Sequence, residues 1–405
     1  MTTKKNYAWP VTAVSKVVYD CFNNAIKKIK ENNQNKNIVV FGAGIRGTLF
    51  SMMLEEAGIK DFVFSDNNEK KCGGYINEYP IIPLDEVLIN IENKVIFITV
   101  ENGRAICSQL SKYGLVENKQ FFLLDPNLYS HYIKEFKKND KIDVLTLGDC
   151  GLTHISLLDN NKLNLDDLLR EGLSSYSCKV LGMHGMGMRA FYNILCAQLH
   201  MGIKLKYVIM LVNFDTFTGK QHYLPRSQHS ELIKRIAEIS KLDSKEMVEY
   251  VKITEERFNS FHIEFASTSD SKTNKSNTNA LYMKMNYMYK LKPDNEGIVY
   301  LTKILDLVKE KNISPILFIP PVNYMRGEQY FGTEFYKAYD ANCILLKQII
   351  KKKGFDILDL SYTLLDCEFA DVNSADECAN YIGRQKICEE IINYFEKKGN
   401  SDSYD

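Results

Sequence analysis

The chain lacks any apolar run approaching the roughly 18 residues that a membrane-spanning helix needs, so no membrane span is expected. Its opening segment, MTTKKNYAWPVTAV, has no apolar core of the kind that marks an export signal. No charge excess exists either. Lys plus Arg and Asp plus Glu both number 51, which removes the general attraction to nucleic acid or anionic membranes that a basic chain would carry. The ten cysteines form no C-x-x-C pair and no zinc-like spacing. A cytoplasmic protein with reduced thiols is the expectation. Tryptophan is nearly absent: Trp9 is the single one, and it says little. There is no internal repeat.

What remains is an ordinary globular composition, 45% hydrophobic and 25% charged over 405 residues, enough for two or three domains. Apolar positions at helical spacing predict a helix over 12–32, within an N-terminal segment 1–36. Residues 37–127 alternate strand and helix. NIVVFGAG, DFVFSDN, KVIFITV and QFFLLD read as four strands, and such alternation implies a parallel sheet with right-handed crossovers. This is the size of a half-Rossmann domain rather than a full dinucleotide fold. Residues 128–143 read as a charged helical linker. A second alternating unit spans 144–397, with strands in IDVLTLGD, SCKVLGM, YVIMLVN, PILFIPPV and FDILDLS. The expected class is α/β throughout, the second domain a three-layer α/β/α, flavodoxin-like sandwich. Residues 219–296 interrupt it as a helical insert. There ASTSDSKTNKSNTNA reads as a polar loop, and the Met- and Tyr-rich LYMKMNYMYK as packing rather than a binding surface. Residues 398–405 read as a frayed tail.

Two places carry chemistry. In GAGIRG, Gly42, Gly44 and Gly47 stand in G-x-G-x-x-G register between a strand and a helix. The first glycine makes the turn, the second lets a phosphate approach the backbone, and the third lets helix and strand pack closely. The helix start then offers amides to an anion. Asp66 ends the next strand, where a carboxylate can accept from ribose hydroxyls. The competing reading is that the glycines merely shape a tight turn. VVFGAGIRG, VFSDNNEKKCGG, YPIIPLDEV and VIFITV resemble the small N-terminal nucleotide-binding domains of bacterial sugar-modifying acetyltransferases and some methyltransferases. The resemblance implies a bound nucleotide or nucleotide-sugar, with Gly44, Arg46 and Asp66 as first contacts.

The second place is LTLGDCGLTHI, where Cys150 follows a strand and Gly148-Asp149. This unit resembles the SGNH (GDSL-type) hydrolase superfamily. LGDC stands at its first motif, normally Gly-Asp-Ser. VLGMHGMG stands at the second, which makes Gly185 an oxyanion-hole amide. MLVNFDTF stands at the third, which gives Asn213 the same task. ADECANYIGR stands at the last, normally Asp-x-x-His before Asn and Gly. Asn380 and Gly383 match it, but Cys378 takes the histidine slot and Ala375 the acid slot, with Asp371 and Asp376 nearby. The C-terminal part, from LTKILDLVKEKN to DILDLS, is similar to the branch containing alginate acetyltransferase-like proteins and the D-alanine transfer protein. The implied activity is acyl transfer or de-acylation on a sugar or nucleotide-sugar in bacterial surface-glycan or flagellin-glycan biosynthesis. An acyl-CoA or acyl-carrier would be the donor.

Ester chemistry needs a nucleophile, a base, an orienting acid and an oxyanion hole. Three readings of the double cysteine stay open. Cys150 is a thiolate nucleophile, its acidity raised by a helix N-terminus, with His184 first and His154 second as displaced base. Or the site is catalytically dead and survives as a glycan or nucleotide-sugar binding or scaffolding module. Or Cys150 and Cys378 face each other as a redox or metal pair. Asp149 is expected to shape the turn. Arg189 is a candidate anion contact. Asn323, Tyr324 and Arg326 follow a strand, where α/β sites gather.

Overall fold

The computed structural model describes residues 5–6, 12–32, 36–101, 103–138, 141–217, 229–242, 275–371 and 378–401. Trp9, Ala375, Asp376, the expected tail beyond Ser401 and much of the expected insert lie outside them. No helix among the described residues is long and apolar enough to cross a membrane. The chain divides into two α/β units, Met1–His131 and Tyr132–Asp405.

In the first unit the helix α1 (Lys16–Asn32) precedes β1 (Asn37–Phe41). Then come α2 (Ile45–Glu56), β2 (Phe62–Ser65), a hairpin of β3 (Tyr75–Ile76) and β4 (Tyr79–Ile82), and the short α3 (Leu84–Leu88). β5 (Lys94–Ile98), α4 (Arg104–Lys112) and β6 (Phe121–Leu123) complete it. The sheet order is β3-β4-β2-β1-β5-β6, and only the β3–β4 pair is antiparallel. Ile38, Val39, Val40 and Phe41 are all buried. That unbroken apolar run is what a strand covered on both faces requires. On one face Phe22 of α1 packs edge-on against Phe50 of α2 at 5.1 Å.

Four strands were expected here, and the hairpin strands β3 and β4 are additions. β4 is short and carries Pro80, with Pro83 just beyond it. It is a strand because its Pro80 sits opposite Tyr75 of a two-residue partner at the sheet edge, where a missing N–H costs little, while Ile81 and Ile82 pair with β2.

α5 (Leu128–Lys137) occupies most of the expected linker. Its Tyr132 and Phe136 are buried, and the Lys179 ammonium donates to the carbonyls of Phe136 (3.1 Å) and Lys138 (2.6 Å) and to Gln198 Oε1 (2.9 Å). All three N–H groups of this buried lysine are thereby used. The residues after His131 are thus packed into the second unit.

The second unit holds β7 (Val144–Gly148), α6 (Leu165–Gly172), β8 (Cys178–Gly182), α7 (Met188–His200) and β9 (Tyr207–Leu211). These are followed by α8 (Ser230–Ser240), α9 (Lys275–Tyr287), α10 (Glu296–Glu310) and β10 (Ser314–Ile319). α11 (Tyr324–Phe331), α12 (Thr333–Lys352), β11 (Ile357–Asp359) and α13 (Tyr381–Ser401) end it. The sheet is wholly parallel, in the order β8-β7-β9-β10-β11. Strand order therefore reverses between β7 and β9.

Two expectations change. Residues 275–280, read as part of a polar loop, belong to α9. Polarity at a helix start is compatible with helix when later turns are anchored, and Met283 and Tyr287 are buried. His154, read as the second turn of a helix, instead opens the extended stretch His154–Ser156. The helix after Asp149 is a single four-residue turn, Cys150–Thr153. The helix N-terminus invoked to acidify Cys150 is thus that of a single turn, with few aligned peptide dipoles behind it.

Candidate functional sites at two sets of strand ends

The first crevice opens where β1, β2 and β5 end. Each glycine of GAGIRG does something different there. Gly42 has φ +116° and lies so close to β5 that a Cβ would stand 2.7 Å from Val100 Cγ2. At Gly47 a Cβ would stand 1.9 Å from the Gly42 carbonyl oxygen, so any side chain would force α2 off the sheet. At Gly44 a Cβ would meet nothing within 4 Å. Gly44 faces a cavity of about 550 Å³, lined also by Arg46, Asp66, Asn67, Lys71 and Glu101. The sequence-predicted Gly42, Gly44, Arg46, Gly47 and Asp66 all come together there.

Asp66 is held by its surroundings. Its Oδ2 accepts from the Ala43 N–H at 2.8 Å and from the Lys71 ammonium at 2.9 Å, and its Oδ1 accepts from the Asn68 N–H at 2.9 Å. Lys71 also donates to the Ala43 carbonyl at 2.8 Å. Among the described residues Arg46 makes two long ion pairs, 3.4 Å to Asp125 and 3.9 Å to Glu101. Both contacts are longer than a well-formed hydrogen bond, so little is lost when Arg46 turns to a stronger anion. Asn67 and Gln109 donate to each other's side-chain oxygens at 2.8 and 3.3 Å, linking the turn after β2 to α4. Sequence reasoning missed Lys71. Its signal is a lysine five residues after the strand-end acid, within a loop whose Asn68 turns (Asn68 carbonyl to Lys71 N–H, 2.8 Å) double the chain back.

The second candidate site lies at the order reversal between β7 and β9, the position where α/β sheets place ligands. Asp149 follows β7 and caps the single turn, its Oδ1 accepting from the Gly151 N–H at 2.8 Å. Its Oδ2 accepts from Asn213 Nδ2 at 3.0 Å. The expected turn-shaping role of Asp149 is visible, and so is a second one: it takes one of the two N–H donors that an oxyanion hole would draw from Asn213. Cys150 itself is 6% exposed. Gly185, in the turn after β8, has φ +74°.

Three histidines surround this turn. His154 and His184 have ring centroids 5.9 Å apart. The dense protein around the half-buried His154 pushes its pKa down to about 3. The His184 ring adds to this, and a hydrogen bond to the Cys150 main chain opposes it. His229, buried, donates from Nε2 to the His184 carbonyl at 2.6 Å, which assigns the proton to Nε2 because a carbonyl cannot donate. Burial lowers its pKa to about 4. A histidine so resistant to protonation is a poor proton acceptor at neutral pH. Sequence reasoning did not single out His229, and a lone His in an insert carries no pattern that would have.

The last motif is accounted for by packing. Asn380 Oδ1 accepts from the Gly383 N–H at 3.1 Å and caps α13, while its Nδ2 donates to the Cys367 carbonyl at 2.8 Å. A Cβ on Gly383 would stand 2.5 Å from the Glu368 carbonyl oxygen. Arg384, 1% exposed, pairs with Asp159 at 2.8 Å and donates to the Leu163 and Ala379 carbonyls. Cys378 is buried, and neither it nor Cys150 forms a disulfide. No group of three His, Cys, Asp or Glu among the described residues is arranged to hold a metal.

The remaining candidates have structural partners. Arg189 pairs with Glu296 at 2.9 Å and lies over the Tyr300 ring. Asn323 donates to Asp366 at 2.8 Å, and Arg326 grips the same carboxylate at 3.1 and 2.9 Å. Tyr324 packs edge-on against Tyr362.

A scan against protein-family models finds no match to this chain, and a search of the curated proteins finds none either.

Proposed function

We propose that the first unit is a Rossmann-like domain that binds a nucleotide or nucleotide-sugar in the crevice at Gly44. The second unit, SGNH-like, then adds an acyl group to that sugar or removes one. The observation that carries the reading is the cavity itself. An open glycine, a loosely paired arginine and an anchored carboxylate meet at the ends of parallel strands, where phosphate and ribose find complementary groups. Isothermal titration of the full chain with nucleoside diphosphates and nucleotide-sugars tests it. Binding is expected, and Gly44→Val should abolish it without lowering the melting temperature, since its Cβ meets nothing. Asp66→Ala should weaken it about 10- to 100-fold, the usual worth of a hydrogen bond to a charged group.

In the acyl-transfer step, the Cys150 thiolate would attack the acyl carbonyl of a CoA or carrier thioester and expel the donor thiolate. A sugar hydroxyl would then take the acyl group, its proton passing to the departing Cys150 sulfur. Gly185 and Asn213 would stabilise the oxyanions. A second reading is favoured by the Asp149–Asn213 hydrogen bond and by the Asn380 cap: the site at Cys150 is non-catalytic and serves as a glycan-binding module. Thiol labelling separates the two. Cys367 is exposed and supplies the background rate. An activated Cys150 reacts faster than Cys367 despite its burial, whereas a binding module leaves it slower.

A further inference from the structure

Asp66 and Lys71 can be counted bond by bond. An ionised carboxylate offers about four acceptor positions, and an ammonium three donors. Asp66 Oδ2 already accepts twice, from Ala43 and Lys71, and Oδ1 once, from Asn68. One position remains, on Oδ1. Lys71 already donates twice, to the Ala43 carbonyl and to Asp66 Oδ2. One N–H remains. Both side chains are largely withdrawn from solvent, at 15% and 26% exposure, and both line the cavity that Gly44 faces.

We infer that Lys71 is a ligand contact and that, with Asp66, it reads the two hydroxyls of an unmodified ribose by opposite hydrogen bonds. Asp66 Oδ1 accepts from one hydroxyl, and Lys71 donates to the oxygen of the other. An acid alone would ask both hydroxyls to donate to it. Here the acid has a single free position, so the lysine is needed for the second. The pair is neutral as a unit. A phosphate on the ribose therefore meets one attraction and one repulsion, while a free vicinal diol satisfies both groups. The ligand class is a ribonucleotide with both ribose hydroxyls free. This refines the nucleotide reading and rests on it.

The test is titration of the full-length protein and of Lys71→Met with ADP and UDP and with their 2′-deoxy, 3′-deoxy and 2′-phosphorylated counterparts. The wild-type protein should bind the ribonucleotide about tenfold more tightly than each deoxy form. Lys71→Met should lose about tenfold for the ribonucleotide. It should lose nothing for the one deoxy form that lacks the oxygen Lys71 contacts. A merely structural lysine would weaken every ligand equally, and that outcome overturns the inference. So does a wild-type protein that ignores the deoxy substitutions or prefers the phosphorylated ribose. Those wild-type comparisons stand even if Lys71→Met fails to fold. Lys71→Arg, which keeps a donor, should restore part of the ribose preference. If the wild-type protein binds no nucleotide at all, the reading of the crevice itself fails, a result distinct from binding without ribose preference.

Discussion

The two candidate sites are built alike and finished differently. Each sits where parallel strands end and strand order reverses, and each has a glycine-containing turn followed by an acid or next to one. In the first, the tight contacts fall on Gly42 and Gly47, while Gly44, Arg46 and Lys71 keep unused space or unused bonds. In the second, the polar groups are bound to each other. Asn213 donates to Asp149, Asn380 caps a helix, and His229 holds the His184 carbonyl. The same residue types that suggest chemistry in a sequence can be consumed by folding. The difference lies in what remains after the hydrogen bonds are counted.

The largest expected effect breaks the second unit. Arg384→Met leaves Asp159 buried without its cation, and removing one partner of a buried pair typically costs about 3–5 kcal/mol. Chemical denaturation should show that loss, while nucleotide titration at low temperature should still report an occupied first crevice. A comparable loss is expected at Gly47. With a Cβ 1.9 Å from the Gly42 oxygen, Gly47→Ala must displace α2 and should cost about 1–3 kcal/mol or more. Gly44→Ala, in the same motif, should cost far less, since its Cβ meets nothing within 4 Å and only the N-cap preference of glycine over alanine at the start of α2 is lost.

A further difference between the sites is their dependence on pH. His229 in the folded chain has a pKa of about 4, below the value of about 6.5 it takes when unfolded. The unfolded state therefore binds the proton first as pH falls. Stability is fully present above about pH 6.5, falls between about 6.5 and 4, and is level below that, for a total on the order of 3 kcal/mol. His154, held neutral to about pH 3, adds to the same loss, so His229→Gln should lessen the slope of this part of the stability profile rather than remove it. A profile unchanged by the substitution would show that His229 is not held neutral.

Much of the framework was legible because buried parallel strands are written as unbroken apolar runs. DVLTLG, KVLG, YVIML and PILFI announce themselves by that pattern. The G-x-G-x-x-G turn was legible too, since its three glycines answer to three local constraints. β4 was hidden by its prolines. The partners that decide the second site were hidden by distance. Asp149 and Asn213 are 64 residues apart, and Asp159 and Arg384 are 225 apart, and no local pattern couples them. Lys71 was hidden differently. It lies near Asp66 in sequence, but only the fold of the Asn68 turns brings its ammonium back onto the carboxylate.

The central claim is that the first crevice holds a nucleotide, and titration of the wild-type chain against Gly44→Val tests it most directly. The account predicts saturable one-site binding of a nucleoside diphosphate or nucleotide-sugar to the wild-type protein, and none to a variant that melts at the same temperature. Equal binding by both, or no binding by the wild-type protein at millimolar ligand, would contradict it.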